Sequence, residues 1–201
     1  MLLMLITLHP LAAATISQSS GAINLKAEGM DADLINNELV LLEVHISQNG
    51  YAIQASEART RGIDFKNSEW TFSGKVNITT PTGASTSDRA VVTFLQDVIT
   101  ELHVSGQPAT FRDSNVSQQL LAQGQANNID YDLQKRIVRL SNNAWLKYQQ
   151  IEYRGKTVVY DLGNRRIVAD RKEQQGERLQ ITVTPGGNDT ERKDSAGNPQ
   201  P

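Results

Sequence analysis

Apolar and polar side chains alternate along most of the chain: Val40, Leu42, Val44 and Ile46; Trp70 and Phe72; Val76 and Ile78; Leu102 and Val104; Ile129, Tyr131 and Leu133; Val138 and Leu140. A period of two marks a strand with one face buried, because successive side chains leave opposite faces of a pleated backbone. Turn-forming residues interrupt these runs at short intervals, as at Gln48-Asn49-Gly50, Ser73-Gly74, Pro81-Thr82-Gly83, Gly106-Gln107-Pro108, Ser141-Asn142-Asn143 and Gly163-Asn164. Hairpins are then the economical connection. At about ten residues per strand plus turn, an all-β body on the order of sixteen antiparallel strands is expected. Only Ser114 to Gln123 also suits a helix, and a segment this short leaves helix and strand both open.

A repeat runs through the pattern. Ile129 to Val138 (IDYDLQKRIV) matches Val158 to Val168 (VVYDLGNRRIV), with Tyr131 and Tyr160 standing 29 residues apart. The same cadence is fainter around Phe65 and Phe94. Each unit reads as strand, tight turn, strand. Stacked edge to edge, such units bury one continuous face and leave two exposed ends, which invite pairing with another chain.

The ends differ from the body. Met1 to Leu11 is apolar and is followed by Ala12-Ala13-Ala14, so residues 1–14 are expected to be a secretory signal peptide, though no Lys or Arg precedes the apolar block. A bilayer span needs about 20 apolar residues, more than this block holds. Residues 15–20 form a polar leader, and residues 186–201, which lack Val, Ile, Leu, Phe, Tyr and Trp, are expected to be a disordered tail. One domain, residues 21–185, lies between.

Composition narrows the chemistry. The 201 residues contain no cysteine, and 20 basic side chains stand against 22 acidic ones. Disulfides, Cys-based zinc sites and thiol nucleophiles are excluded, and nothing in the charge favours nucleic acid. His45 and His103 alternate onto the polar face, with no metal-binding spacing. Gly83-Ala84-Ser85 lacks the closing glycine of a nucleophile elbow, and no phosphate-binding G-x-x-x-x-G-K-[ST] occurs. The acid pairs Asp31/Asp33 and Asp130/Asp132 lie beside turns, where solvated carboxylates are the ordinary case. No cofactor, metal or enzymatic activity is expected.

Four features together resemble a known family: Gly21-Ala-Ile-Asn-Leu-Lys-Ala27, Gly106-Gln-Pro-Ala-Thr-Phe111, the paired Tyr-Asp-Leu turns, and Ser141-Asn-Asn-Ala-Trp-Leu146. The combination is similar to the OstA-like periplasmic lipopolysaccharide transport proteins of the LptA type, over about Gly21 to Thr184. The resemblance implies a twisted, slightly open β-jellyroll whose two facing sheets form an apolar groove for the acyl chains of lipid A. It implies a periplasmic carrier that joins head to tail into a bridge, with an LptC-like anchor at the inner membrane and an LptD-like translocon at the outer. It also implies that Ile23, Leu25, Phe111, Tyr131 and Leu133 line the groove. Asn67 to Val92 is as similar to LptC as to LptA, so an LptC-like link is an alternative, as is a structural module with no bound lipid.

Such a groove has a clear energetic purpose. Exposing acyl chains to water costs about 0.8 kcal/mol per CH₂, so one chain of about a dozen carbons represents roughly 10 kcal/mol. The lipid's phosphates would stay in water, and Arg59, Arg61, Lys75, Arg136 and Arg139 are candidates to meet them, set against their ordinary role in solubility and edge protection. Phe111, Tyr131 and Leu133 have the alternative of simply filling a core, as do Trp70 and Trp145. With only 5% aromatic residues, the chain is expected to leave a wide interior unplugged, and the resemblance implies a groove with no lid at either end.

Overall fold

The computed structural model describes residues 21–62, 65–115 and 119–185. The signal-peptide, leader and tail expectations fall outside these residues. Within them the chain is all β, with twelve strands: β1 (Asn24–Lys26), β2 (Gly29–Asp33), β3 (Glu38–Gln48), β4 (Tyr51–Arg61), β5 (Asn67–Thr80), β6 (Gly83–Leu95), β7 (Val98–Ser114), β8 (Leu120–Asp132), β9 (Ile137–Tyr148), β10 (Ile151–Asp161), β11 (Arg166–Val168) and β12 (Gln180–Val183). The count is below sixteen because the eight central strands run 11 to 17 residues each. Several of the expected turns are bends inside strands. Of the segment from Ser114 to Gln123, Ser114 ends β7 and Leu120 to Gln123 open β8, while residues 116–118 lie outside the described residues.

All strands belong to one antiparallel sheet, a meander from β3 to β10. At one edge β1 and β2 both pair with β3, and at the other β11 and β12 both pair with β10. The two edges do not pair with each other, so the sheet is unclosed.

A line of irregularities crosses the sheet at mid-strand. The register shifts between Gln54 and Glu57, Ser73 and Val76, Thr86 and Arg89, Ser105 and Ala109, Gln125 and Asn128, and Gly155 and Thr157. Left-handed backbone accompanies the line at Glu43, Gly74, Lys75, Asn142 and Asn143. Extra residues at bulges bend a strand and change which side chains face inward. In β3 the buried residues are Leu39 and Leu41, then Val44, Ile46 and Gln48, so the phase slips at Glu43 and leaves Leu42 49% exposed. The expected inward run of Val40, Leu42, Val44 and Ile46 therefore holds only for its second half. Gly74, at φ +77, occupies a conformation that costs a glycine nothing.

This crease folds the sheet into two facing walls. The first wall holds the N-terminal halves of β3, β5, β7 and β9 and the C-terminal halves of β4, β6, β8 and β10, with β2 and β11 at its edges. The second holds the remaining halves, with β1 and β12. Tyr160 of the first wall lies 6.3 Å, ring to ring, from Phe111 of the second, although three strand spacings separate β7 from β10 along the sheet. The walls come very close at Gly124, where a Cβ would stand 2.6 Å from the Leu140 side chain.

Turns at the free end of the first wall form a ladder of their own. Gly62 N–H donates to Asn37 C=O at 2.8 Å, Gln96 N–H to Lys66 C=O at 2.6 Å, Leu133 N–H to Thr100 C=O at 3.0 Å, and Leu162 N–H to Arg136 C=O at 2.9 Å. The repeated Asp-Leu turns share one chemistry. Asp132 accepts from Lys135 N–H at 2.8 Å, Asp161 from Asn164 N–H at 2.8 Å, and Asp33 from Ile35 N–H at 2.9 Å.

Candidate functional site

The space between the walls is the one region built by every long strand. Its walls are apolar: Ile46, Ile53, Val76 and Ile78 belong to the second wall, and Leu39, Val92, Val138 and Leu140 to the first. Two aromatic groups fill it. Trp70 stacks on Phe65 at 4.9 Å and meets Phe72 and Phe94 on the β4 to β6 side. Phe111, Tyr131, Tyr148 and Tyr160 meet on the β7 to β10 side. The wide, unplugged interior expected from 5% aromatic content is thus absent: all four phenylalanines bury into or pack against this core. An average over 201 residues says little about an interior between two single-layer walls, where few rings suffice.

Of the five expected groove residues, Phe111 is 4% exposed on the second wall, while Ile23, Leu25, Tyr131 and Leu133 are half-buried against the core. Phe111 and Tyr131 come together, with ring centroids 6.5 Å apart. Ile23 and Leu25 lie at the other side of the molecule, against the second wall's β3 edge, where Leu25 pairs with Ile46. Below the Phe111 and Tyr131 rings a cavity of about 20 Å³ is lined by Ile78, Phe111, Asp113, Tyr131 and Leu162 among others.

The five basic candidates do not form one cluster. Arg59 pairs with Glu57 on the outer face at 2.6 Å, and Arg139 pairs with Glu173 at 2.6 Å. Lys75 sits at the crease, where its outer surface is shared with Glu28, Glu43 and His45. Arg61 ends β4 beside an open cleft of about 500 Å³ that also holds Arg59, Glu38 and Glu69. Arg136 stands at the free ends of the strands, in the turn after β8, close enough for its charge to act on the buried Asp113. Its repeat counterpart Arg165 occupies the same left-handed position in the turn after β10, with φ 52° against 57°.

Both arginines act on Asp113, a residue 6% exposed. Burial pushes the Asp113 carboxyl above the usual carboxylate range, opposed by the Tyr160 hydrogen bond and by the positive fields of Arg136 and Arg165. Tyr160 O–H donates to Asp113 Oδ2 at 3.2 Å, and burial followed by the nearby Asp113 charge raises the Tyr160 phenol strongly. Burial, then Tyr51 and Asp113, pushes Tyr131 up to about 12. Asp113, Tyr160 and Arg165 were not read from the sequence. Tyr160 and Arg165 were within reach, because the repeat aligns them with Tyr131 and Arg136. Asp113 carries no such signal, since it follows Phe111 in an alternating strand as any inward residue would.

Other candidates resolve simply. His103 pairs with Asp130 on the outer face, and His45 meets Gln54. Asp33 and Asp132 cap turns, and hydrogen bonding holds both below the usual carboxylate range, from Asn36 and Lys135 respectively. Trp70 is core, whereas Trp145 faces outward, donating to Glu152 at 3.0 Å beneath Arg154, because its neighbours Ala144 and Leu146 take the inward positions. Among the described residues no group of acids and histidines is placed to hold a metal.

A creased single sheet with an apolar space between its walls and edges that do not pair with each other defines an open β-jellyroll. A family model described as LptA/(LptD N-terminal domain) LPS transport protein matches residues 52–174, and the chain belongs to that family. Its members transport and bind lipopolysaccharide and are not enzymes. Among solved structures the chain is similar to LptH from Pseudomonas aeruginosa, described as the LptA homologous periplasmic component of the conserved lipopolysaccharide transport device. The two share 15% identity and a TM-score of 0.52, over 82% of this chain and 96% of that one, a likeness of fold. No curated protein matches the chain.

Proposed function

We propose that the protein is a periplasmic lipopolysaccharide carrier that holds the acyl chains of lipid A between its two walls and passes them along a bridge from the inner to the outer membrane. The observation that carries this reading is the creased sheet itself. Every long strand contributes apolar side chains to one space, and that space runs along the stacking direction from the β1/β2 edge to the β11/β12 edge. An apolar passage removes the cost of wetting acyl chains, and its side chains offer few hydrogen bonds to trap them.

The edges suit a bridge. Each consists of two short strands, β1 and β2 on one side, β11 and β12 on the other, that pair along one side only among the described residues, and exposed strands of this kind recruit further strands. Head-to-tail joining of copies, and joining to an LptC-like anchor and an LptD-like translocon, would extend the passage. Energy must come from a partner, because the sequence carries no nucleotide-binding loop. An LptC-like position in the same bridge would use the same walls.

Photo-crosslinking tests this reading. Azidophenylalanine at Phe111 or Leu133, irradiated in cells, is expected to attach to lipopolysaccharide, and the same probe at the outward Trp145 is not. Attachment at none of the three, in folded protein, would contradict the reading.

A further inference from the structure

The walls are continuous through the strands at the crease, whereas side chains meet across their free ends. Two hydrogen bonds span this lip. Gln48 Nε2, at the end of the second wall, donates to the Asp97 carbonyl in the turn between β6 and β7 at 2.7 Å, and also to the Gly21 carbonyl at 3.0 Å. Tyr160 of the first wall donates to Asp113 of the second at 3.2 Å. All three side chains are buried, Gln48 and Asp113 at 6% exposure and Tyr160 at 0%.

We propose that this lip is an openable seam, clasped by Gln48–Asp97 and Tyr160–Asp113, through which the acyl chains of an anionic glycolipid enter sideways. The proposal rests on the carrier reading above and adds where and how the interior opens. Three observations support it. The space between the walls is filled by rings, so cargo needs the walls to part, and the strands hold them together only at the crease. Left-handed residues along the crease, Glu43, Gly74, Lys75, Asn142 and Asn143, mark where the strands already bend. The clasp is also polar within an otherwise apolar interior, and a buried carboxylate is costly unless its partners stay in place.

The flanking charges give the seam a natural competitor. Arg136 and Arg165 stand exposed on two equivalent turns, and their fields favour the ionised form of Asp113. A phosphate arriving at the lip would draw on the same two guanidiniums. Each such contact weakens the hold on Asp113 at the point where the acyl chains must pass. Facing Asp113 from the packed elements are Tyr160, Tyr131, Arg136 and Arg165, with Tyr148 and Tyr51 behind the tyrosines.

The test uses the full chain, which has no native cysteine. A Gln48→Cys/Asp97→Cys variant is joined with a short bis-methanethiosulfonate linker that reductant removes. Capture of fluorescently labelled lipopolysaccharide should be about tenfold slower or more when linked, and reduction should restore it, since only the open fraction captures. Tyr160→Phe, which removes the donor, should capture faster than the parent. A second readout needs no lipid: in a Trp145→Phe background, acrylamide quenching of the buried Trp70 should rise in Tyr160→Phe and fall on linking. Equal capture by linked and reduced protein, or quenching that ignores the linker, overturns the seam. If no chain captures lipopolysaccharide while quenching still follows the linker, the carrier reading fails and the opening stands.

Discussion

Asp113 is the residue at which burial and charge oppose each other most directly. Its folded-state carboxyl lies above the ordinary value of 3.8, chiefly because burial disfavours the charged form. A raised carboxyl binds its proton more tightly folded than unfolded, so its contribution to stability is greatest at low pH and is lost as the pH rises through the folded value. Replacing Asp113 with Asn removes that loss while keeping an acceptor for Tyr160. Asp113→Asn is therefore expected to be more stable than the parent at pH 7, with the difference shrinking toward pH 3.8, as denaturant melts at both pH values would register. A variant less stable at pH 7 would mean that the arginines outweigh burial. The same residue marks the limit of the sequence. Phe111 and Tyr131 were legible as inward positions, but that Asp113 would be buried against a tyrosine 47 positions away depends on the walls facing each other.

At the scale of elements, strand identity followed from alternation, and strand length did not. Ser73-Gly74 and Gly106-Gln107-Pro108 carry turn chemistry, yet in the fold they bend β5 and β7 without ending them, because neighbours on both sides continue the ladder past the irregularity. The slip at Glu43 misplaced Leu42 for the same reason. Between β11 and β12 a strap places Gln174 over the bulge in β10, its Oε1 accepting from Lys156 N–H at 2.8 Å and its Nε2 donating to Thr157 C=O at 2.6 Å. The amide group thus substitutes for a neighbouring strand. Gln174→Ala would strand both backbone groups, at about 1–3 kcal/mol, and a thermal melt should show a fall of about 3–10 °C. An unchanged melt would mean that water replaces the amide without loss.

The turn between β2 and β3 makes a second prediction at this scale. Leu133 and Leu162, which follow Asp in the repeated turns, fold against the core, whereas Leu34 follows Asp33 and is 90% exposed, with Ile35 at 94%. Among the described residues Asn37 is the first acceptor in the turn ladder, and no earlier turn covers Leu34. A neighbouring copy joined at this edge would supply the cover. Leu34→Asp/Ile35→Asp should leave the melt unchanged and shift the protein toward monomer in sedimentation experiments. Unaltered assembly would remove this tip from the joining surface.

For the molecule as a whole, the all-β class, the antiparallel meander and the unpaired edges were legible, because each follows from local alternation and turns. The state of the interior was not. Whether two apolar walls stand apart or close upon their own rings depends on the crease angle, and residues such as Gly124, which lets Leu140 cross the gap, set that angle without altering the pattern. Under the proposed function, the closed lip and the ring-filled core make carriage depend on displacement: acyl chains would have to take the place of aromatic contacts.

Native mass spectrometry of the full chain mixed with purified lipopolysaccharide tests carriage most directly, run beside a variant bearing Leu133→Asp, which sets a charge against the proposed acyl path. The account predicts a bound acylated glycolipid on the parent chain that survives gentle activation, and much less on the folded variant. Equal occupancy of both, or none on the parent, would contradict it.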